Sequence, residues 1–169
     1  MEPLLVFLLF FVLYIWFKLV SAEALFIPLP MSTIRKMLKL ANVKSSDVLY
    51  DLGAGDGRVI ITAAKEHRCK AIGIERSKII AALCRWNVKR EGVEKKVKVI
   101  EKSYFDVDLR KATVVAAYLS QKQNNLLVTK LKKELKKGAR IVSASHTFPG
   151  LKEIKRIKTG HFYTRLYKI

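Results

Sequence analysis

The stretch Asp51-Leu52-Gly53-Ala54-Gly55-Asp56-Gly57-Arg58 packs three glycines and two carboxylates among its residues. Glycines at that density let a backbone turn sharply and let a ligand approach it closely. The apolar run 47–52 ahead of them reads as a buried strand, and residues 59–67 behind them as a helix. A glycine turn from strand to helix is where nucleotides bind in α/β proteins. The dinucleotide fingerprint G-x-G-x-x-G nevertheless fails here. Counted from Gly53 its third glycine falls on Arg58, and counted from Gly55 it falls on Ile60. Asp56 also sits where a pyrophosphate wants no negative charge. A carboxylate-flanked loop suits a cationic or zwitterionic ligand better. Glu75 closes the next apolar run, 20 residues after Gly55, where a carboxylate can accept both hydroxyls of a ribose. Taken alone, the glycines would also serve a tight turn, and Glu75 a solvated strand end.

Such residues need a sheet to hold them. Strands are expected over 47–52, 70–75, 97–100, 113–119 and 139–145, and helices over 32–40, 59–67, 77–90 and 121–136. Ser32 or Thr33 is placed to cap the first helix and Ser77 the third, while Gly92 and Gly138 mark helix ends. Ile34, Met37, Leu38 and Ala41 share one helix face, and Leu127, Leu131 and Leu135 another. After Pro149-Gly150, Leu151, Ile154 and Ile157 recur every third residue, which is not strand alternation. A strand is still expected there, then a turn at Thr159-Gly160 and an aromatic-rich strand over 162–169. This order predicts an α/β fold. Its core is a doubly wound, mostly parallel, seven-stranded Rossmann-like sheet with a terminal antiparallel hairpin.

The chain has 169 residues, one domain's worth, and is 50% hydrophobic and 28% charged. That composition builds a core and excludes wholesale disorder. Lys and Arg number 33 against 14 Asp and Glu, a formal net charge of +19. The excess is segregated, since the first 30 residues hold only Glu2, Lys18 and Glu23 as charged side chains. The rest should favour anionic partners, whether nucleic acid, lipid headgroups or acidic protein. Cys69 and Cys84 exclude a disulfide-rich scaffold, and with three histidines no metal site is expected.

Residues 4–17 form an unbroken apolar run, LLVFLLFFVLYIWF. Extended through Lys18 to Val20 it would reach about 26 Å as a helix, the short end of a membrane span. Positive charge follows the run instead of preceding it, which argues against a cleaved signal peptide and puts the domain on the cytoplasmic side. The expected organisation is an N-terminal transmembrane helix over 1–20, a proline-containing linker over 21–30 and a globular domain over 31–169.

The motif D-L-G-x-G-D-G-R after a strand, with Glu ending the next, resembles the class I S-adenosylmethionine-dependent methyltransferases. The wider pattern resembles small protein-lysine methyltransferases, archaeal ones and the membrane-anchored mitochondrial ones that modify the ATP synthase c-subunit and the adenine nucleotide carrier. It comprises Pro28-Leu29-Pro30, the helix around Met37 to Ala41, residues 47–58, Ala63-Ala64-Lys65, residues 71–75 and Glu134 to Ser143. The resemblance implies that Asp51, Gly53 and Gly55, with Ala54 between them, line the methionine part of S-adenosylmethionine. Glu75 would hold the ribose, and Ser103 and Tyr104 would lie beside the adenine. Many relatives carry Asp at the position of Ser103.

Tyr118, Leu119 and Ser120 follow the fourth strand and should form the substrate side, with Tyr118 and Ser120 as candidate catalytic residues. Enzymes that methylate the amines of adenine or glutamine usually carry [DN]-P-P-[YF] at this place. Ala117-Tyr118-Leu119-Ser120 has no proline. The expected function is a membrane-tethered protein-lysine N-methyltransferase whose partners are a lysine-bearing protein, with a membrane protein or complex among the candidates, and an anionic membrane surface. The alternatives are an RNA or DNA methyltransferase using the basic surface, and a non-catalytic binding module. Lys132-Lys133 and Lys136-Lys137 read as a solvated helix face, and His146 as an ordinary surface or core histidine.

Overall fold

The computed structural model describes residues 3–21 and 27–169, with side chains of the first segment described only over 4–14. Twelve elements follow in order: α1 (Pro3–Ser21), α2 (Met31–Leu40), β1 (Val48–Leu52), α3 (Arg58–Glu66), β2 (Lys70–Glu75), α4 (Lys78–Arg90), β3 (Val97–Glu101), β4 (Val114–Ala117), α5 (Gln121–Glu134), β5 (Arg140–Ala144), β6 (Glu153–Thr159) and β7 (Phe162–Lys168). The seven strands form one sheet in the order β3-β2-β1-β4-β5-β7-β6. The first five run parallel, and β7 joins β5 antiparallel with β6 outside it. This is the expected α/β sheet with its terminal hairpin.

Strand alternation splits the core in two. On one face Leu49, Val114, Ala116 and Val142 meet Ile34 and Leu38 of α2, Ile60 and Ala63 of α3, and Cys84 and Val88 of α4. On the other, Tyr50, Leu52, Val115 and Ile141 meet Leu127, Leu131 and Leu135 on and just beyond α5. Each face of the sheet is therefore covered. The chain reverses winding direction between β1 and β4, which opens a crevice at the carboxyl ends of these strands.

The opposite end of the sheet is pinned by a buried ion pair. Asp47 is 6% exposed. It accepts from the Lys44 amide at 2.7 Å, from Thr113 Oγ1 at 2.7 Å and from the Arg140 guanidinium. Arg140 also donates to the carbonyls of Ala41 at 2.7 Å and Asn42 at 2.6 Å. One carboxylate thus ties the end of α2 to the starts of β1, β4 and β5.

One local expectation is corrected, and two hold. The cap of α2 is Pro30, not Ser32 or Thr33, and no side chain caps it. The Pro30 carbonyl takes the amides of Thr33 and Ile34, and Thr33 is buried in the first turn. Ser77 does cap α4, accepting from the Ile80 amide at 3.5 Å. The three-residue spacing of Leu151, Ile154 and Ile157 comes from a bulge in β6 between Glu153 and Lys155, which shifts the register once.

The expected membrane anchor, and with it the placement of the domain on a cytoplasmic membrane face, is overturned. Among the described residues no helix is long and apolar enough to cross a membrane. The unbroken run over 4–17 spans about 21 Å as a helix before Lys18 interrupts it, against a hydrocarbon core of about 30 Å. Residues 22–26 of the expected linker lie outside the described residues. The part that is described does not hang free, because Leu29 is 4% exposed and joins the core.

Replacing Asp47 by Ala leaves the largely buried Arg140 without its anion. The expected cost is about 3 kcal/mol in urea-unfolding free energy, with less than half that for Glu66→Ala, whose pair with Arg35 is exposed on both sides.

Candidate functional site

The glycine loop leaves β1 at the crevice. Gly53, Gly55 and Gly57 take φ values of 83°, 56° and 88°, all left-handed. Within the loop a side chain would be worst placed at Gly57, where a Cβ would stand 2.7 Å from Cys84 Sγ besides straining the backbone; at Gly53 a Cβ would stand 3.1 Å from Leu119 Cδ2. The loop is sewn to β2 by two amides, Gly53 and Ala54, each donating to the Ile74 carbonyl at 2.9 Å. A second glycine matters for packing alone. A Cβ on Gly73 of β2 would lie 2.7 Å from Ala54 Cβ and 2.6 Å from Ile60 Cδ1, so its absence lets the loop and α3 settle on the sheet.

Glu75 does structural work beyond the expected one. Its Oε2 accepts from the Gly55 amide at 3.1 Å and its Oε1 from the Ser77 amide at 3.0 Å. One carboxylate therefore fixes both the glycine loop and the start of α4. Each oxygen keeps a further lone pair for a ligand donor.

Asp51 differs in having no such partners. It is 4% exposed at the end of β1. Among the described residues no hydrogen bond or ion pair reaches its carboxyl group. Burial pushes this carboxyl well above the usual carboxylate range, and the charges of Glu75 and Asp56 push it further. A buried carboxyl group with like charges for neighbours is a site that a cation would relieve. That is the observation by which the loop fits a sulfonium- and ammonium-bearing ligand.

Asp56 faces outward and is paired. Its carboxylate clamps the Arg58 guanidinium at 2.6 Å, and Arg58 Nη1 in turn donates to the Leu29 carbonyl at 2.8 Å. The segment before α2 is thereby strapped across the loop. Asn87 of α4 holds the loop from behind, its amide donating to the Asp56 carbonyl at 2.8 Å. The sequence marks Leu29 only as part of Pro28-Leu29-Pro30 and gives no sign of its contact with Arg58, and it does not mark Asn87. The Cys84 thiol packs beneath Gly57, and burial among carboxylates pushes it up to about 12, so it is inert.

The remaining candidates lie along the same rim. Tyr104 follows β3, close enough to Glu75 and Arg76 for both charges to act on its phenol, which donates to Gln123 Oε1 at 3.0 Å. Ser103 starts a turn, its hydroxyl accepting from the Phe105 amide at 3.2 Å. Tyr118 leaves β4 on the side opposite Leu119, and its ring stacks on Phe162 with centroids 6.1 Å apart. Ser120 is the N-cap of α5, accepting from the Gln123 amide at 3.4 Å. The structure thus joins Asp51, Gly53, Ala54, Gly55 and Glu75 directly. Ser103 and Tyr104 flank them on one side, and Tyr118 with Ser120 on the other. His146 lies in the turn after β5, where its carbonyl accepts from Ser143 Oγ.

The sign of the Asp51 effect is testable. A carboxyl group raised in the folded state stabilises the fold below its unfolded pKa and loses that contribution as pH rises through the folded value. Asp51→Asn should therefore raise the melting temperature of the ligand-free protein at neutral pH, by about 2–4 °C for a chain of this length. The gain should shrink as the pH falls towards the ordinary carboxylate range.

Comparison with known proteins agrees with this geometry. The ANTKMT methyltransferase domain family matches residues 51–155. A protein-lysine N-methyltransferase of Saccharolobus islandicus (strain REY15A) is 39% identical over 147 residues, which cover 84% of this chain and 90% of that protein. The adenine nucleotide translocase lysine N-methyltransferase of Mus musculus is 32% identical over 115 residues, and the match spans about half of its length (49%). Among solved structures, an RNA methyltransferase from Salinibacter ruber in complex with S-adenosyl-L-homocysteine superposes with a TM-score of 0.83 at 33% identity. The match covers 85% of this chain and 94% of that one. The chain belongs to the ANTKMT methyltransferase domain family of class I S-adenosylmethionine-dependent methyltransferases.

Proposed function

We propose that this chain transfers a methyl group from S-adenosylmethionine to the side-chain nitrogen of protein lysines, with residues 31–169 as the catalytic domain. The observation that carries the reading is the charge of the crevice. Asp51, Asp56 and Glu75 gather around the loop, where Asp56 is paired with Arg58. A cationic donor and a cationic acceptor are both drawn to such a rim, whereas a polyanion is repelled. The near full-length similarity to an archaeal lysine methyltransferase supports the same acceptor.

S-adenosylmethionine supplies an electrophilic methyl group on a positively charged sulfur. In this reading Asp51 and the Gly53–Gly55 backbone hold the methionine end, Glu75 accepts from the ribose hydroxyls, and Ser103 and Tyr104 border the adenine. The acceptor nitrogen must first lose a proton, because a free lysine ammonium has a pKa of about 10.4 and no lone pair until then. The neutral amine then forms the new N–C bond as the C–S bond breaks, and the sulfur keeps the bonding pair. The chain contributes alignment of donor and acceptor and exclusion of water.

A second reading has one specific observation in its favour. The Salinibacter ruber structure with a similar fold is described as an RNA methyltransferase, and the strongly basic surface outside the crevice could track phosphates. The two readings separate in one experiment. The full chain is incubated with methyl-labelled S-adenosylmethionine, whole-cell protein and total RNA. Label that survives nuclease and is recovered as methyl-lysine after acid hydrolysis is the expected result. Label lost to nuclease would replace lysine by RNA as the acceptor. In the same system Glu75→Ala should weaken S-adenosylmethionine binding by about 10- to 100-fold in calorimetry, the size of hydrogen bonds to a charged group. An unchanged affinity would remove Glu75 from the cofactor site.

A further inference from the structure

We propose that Tyr118 and Phe162 together form the acceptor wall of the site, an aromatic surface along which the substrate lysine lies with its nitrogen turned to the glycine loop. This rests on the lysine reading above and names the residues that recognise the acceptor.

Position is the first argument. Asp51 pairs with Ala116 across β1 and β4. Tyr118 stands two residues beyond Ala116, so strand alternation puts it on the same face as Asp51. Leu119, the next residue, reaches the place where Gly53 lacks a side chain. Tyr118 is therefore one residue from contact with the loop, on the side of its buried carboxyl group. Both rings pack against the core cluster that contains Leu29 and Ala54, and both stay partly exposed.

The second argument is that the hairpin is fastened where it presents Phe162. Thr159 and Thr164 are 1% and 0% exposed. Their hydroxyls bond to each other at 2.8 Å, and Thr159 Oγ1 also donates to the Phe162 carbonyl at 3.4 Å. The Ser145 amide, at a residue with φ of 73°, donates to the Tyr163 carbonyl at 3.0 Å. Two buried hydroxyls at a hairpin tip cost desolvation, and here they are spent on one another to hold an aromatic residue at the rim.

The third argument is chemical. The rings lie 24° from parallel at 6.1 Å between centroids, within the range of a directly packed aromatic pair. No base fits between them, so they do not make a stacking slot for RNA. Their outer faces and edges suit a thin aliphatic stem ending in a cation, which an aromatic face attracts before and after methylation. The neighbouring carboxyl group is Asp51, which favours an ammonium and repels a phosphate.

The test compares Phe162→Ala, Phe162→Leu and Phe162→Tyr in the full chain, with whole-cell protein and total RNA as separate acceptor pools. The alanine and leucine variants are expected to raise the apparent KM for protein about tenfold, with S-adenosylmethionine affinity within about twofold of the parent. Leucine keeps the apolar bulk, so its effect isolates the ring, and tyrosine should restore the parent KM. An unchanged KM in the leucine variant overturns the proposal, as does a parallel loss of S-adenosylmethionine affinity. Label entering RNA in a Phe162-dependent way overturns it too. A parent protein that labels no lysine overturns the functional reading itself, whereas lysine labelling that ignores Phe162 overturns this inference alone.

Discussion

Asp51 is buried at the end of β1 with like charges for neighbours, and the surroundings are built to tolerate it. An ordinary folded domain would pair such a group or replace it, because an unpaired buried carboxyl group destabilises the fold. Here the guanidinium carried by the loop is engaged elsewhere. Arg58 is spent on Asp56 and on the Leu29 carbonyl. Glu75 is held by two backbone amides and adds negative potential of its own. In the proposed reading this electrostatic strain is relieved by a cationic ligand such as a sulfonium donor.

The scaffold carries that strain by making the opposite end of the sheet rigid. Asp47 and Arg140 lock the amino ends of β1, β4 and β5 to the end of α2. The loops at the carboxyl ends are then free to be shaped by function. Gly73 lets α3 and the glycine loop press onto β2, and the Arg58 clamp brings the strap before α2 over the loop. The β6–β7 hairpin closes the other side, with its buried threonine pair setting where Phe162 stands. In the proposed reading the donor side, built on the glycine loop and Glu75, meets the acceptor side, built on Phe162, at Tyr118.

Much of this was legible in the sequence, for local reasons. The strands alternate or run apolar, Ser77 and Gly92 delimit α4, and glycines next to carboxylates at the end of β1 have few other uses. Glu75 was found by its spacing, although its grip on the Gly55 and Ser77 amides was not. What stayed hidden depends on tertiary contact. Leu29 reads as linker because what fastens it, Arg58 and the core cluster, comes mostly from far along the chain. Phe162 reads as one aromatic in an aromatic strand until the hairpin sets it on Tyr118. The bulge in β6 disguises the strand as a threefold pattern. The apolar run at the amino end reads as a membrane span by its hydrophobicity, but Lys18 interrupts it short of the thickness of a hydrocarbon core.

The measurement that meets the central claim most directly is the pH dependence of S-adenosylmethionine binding. It would be followed by calorimetry from about pH 4.5 to 7, below the range where the ligand's own amine titrates. If the buried Asp51 carboxyl group is what the cationic ligand relieves, affinity rises with pH and binding releases protons to the buffer. The Asp51→Asn protein then shows a flatter profile. Affinity that stays level or falls over this range in the parent protein would contradict the account.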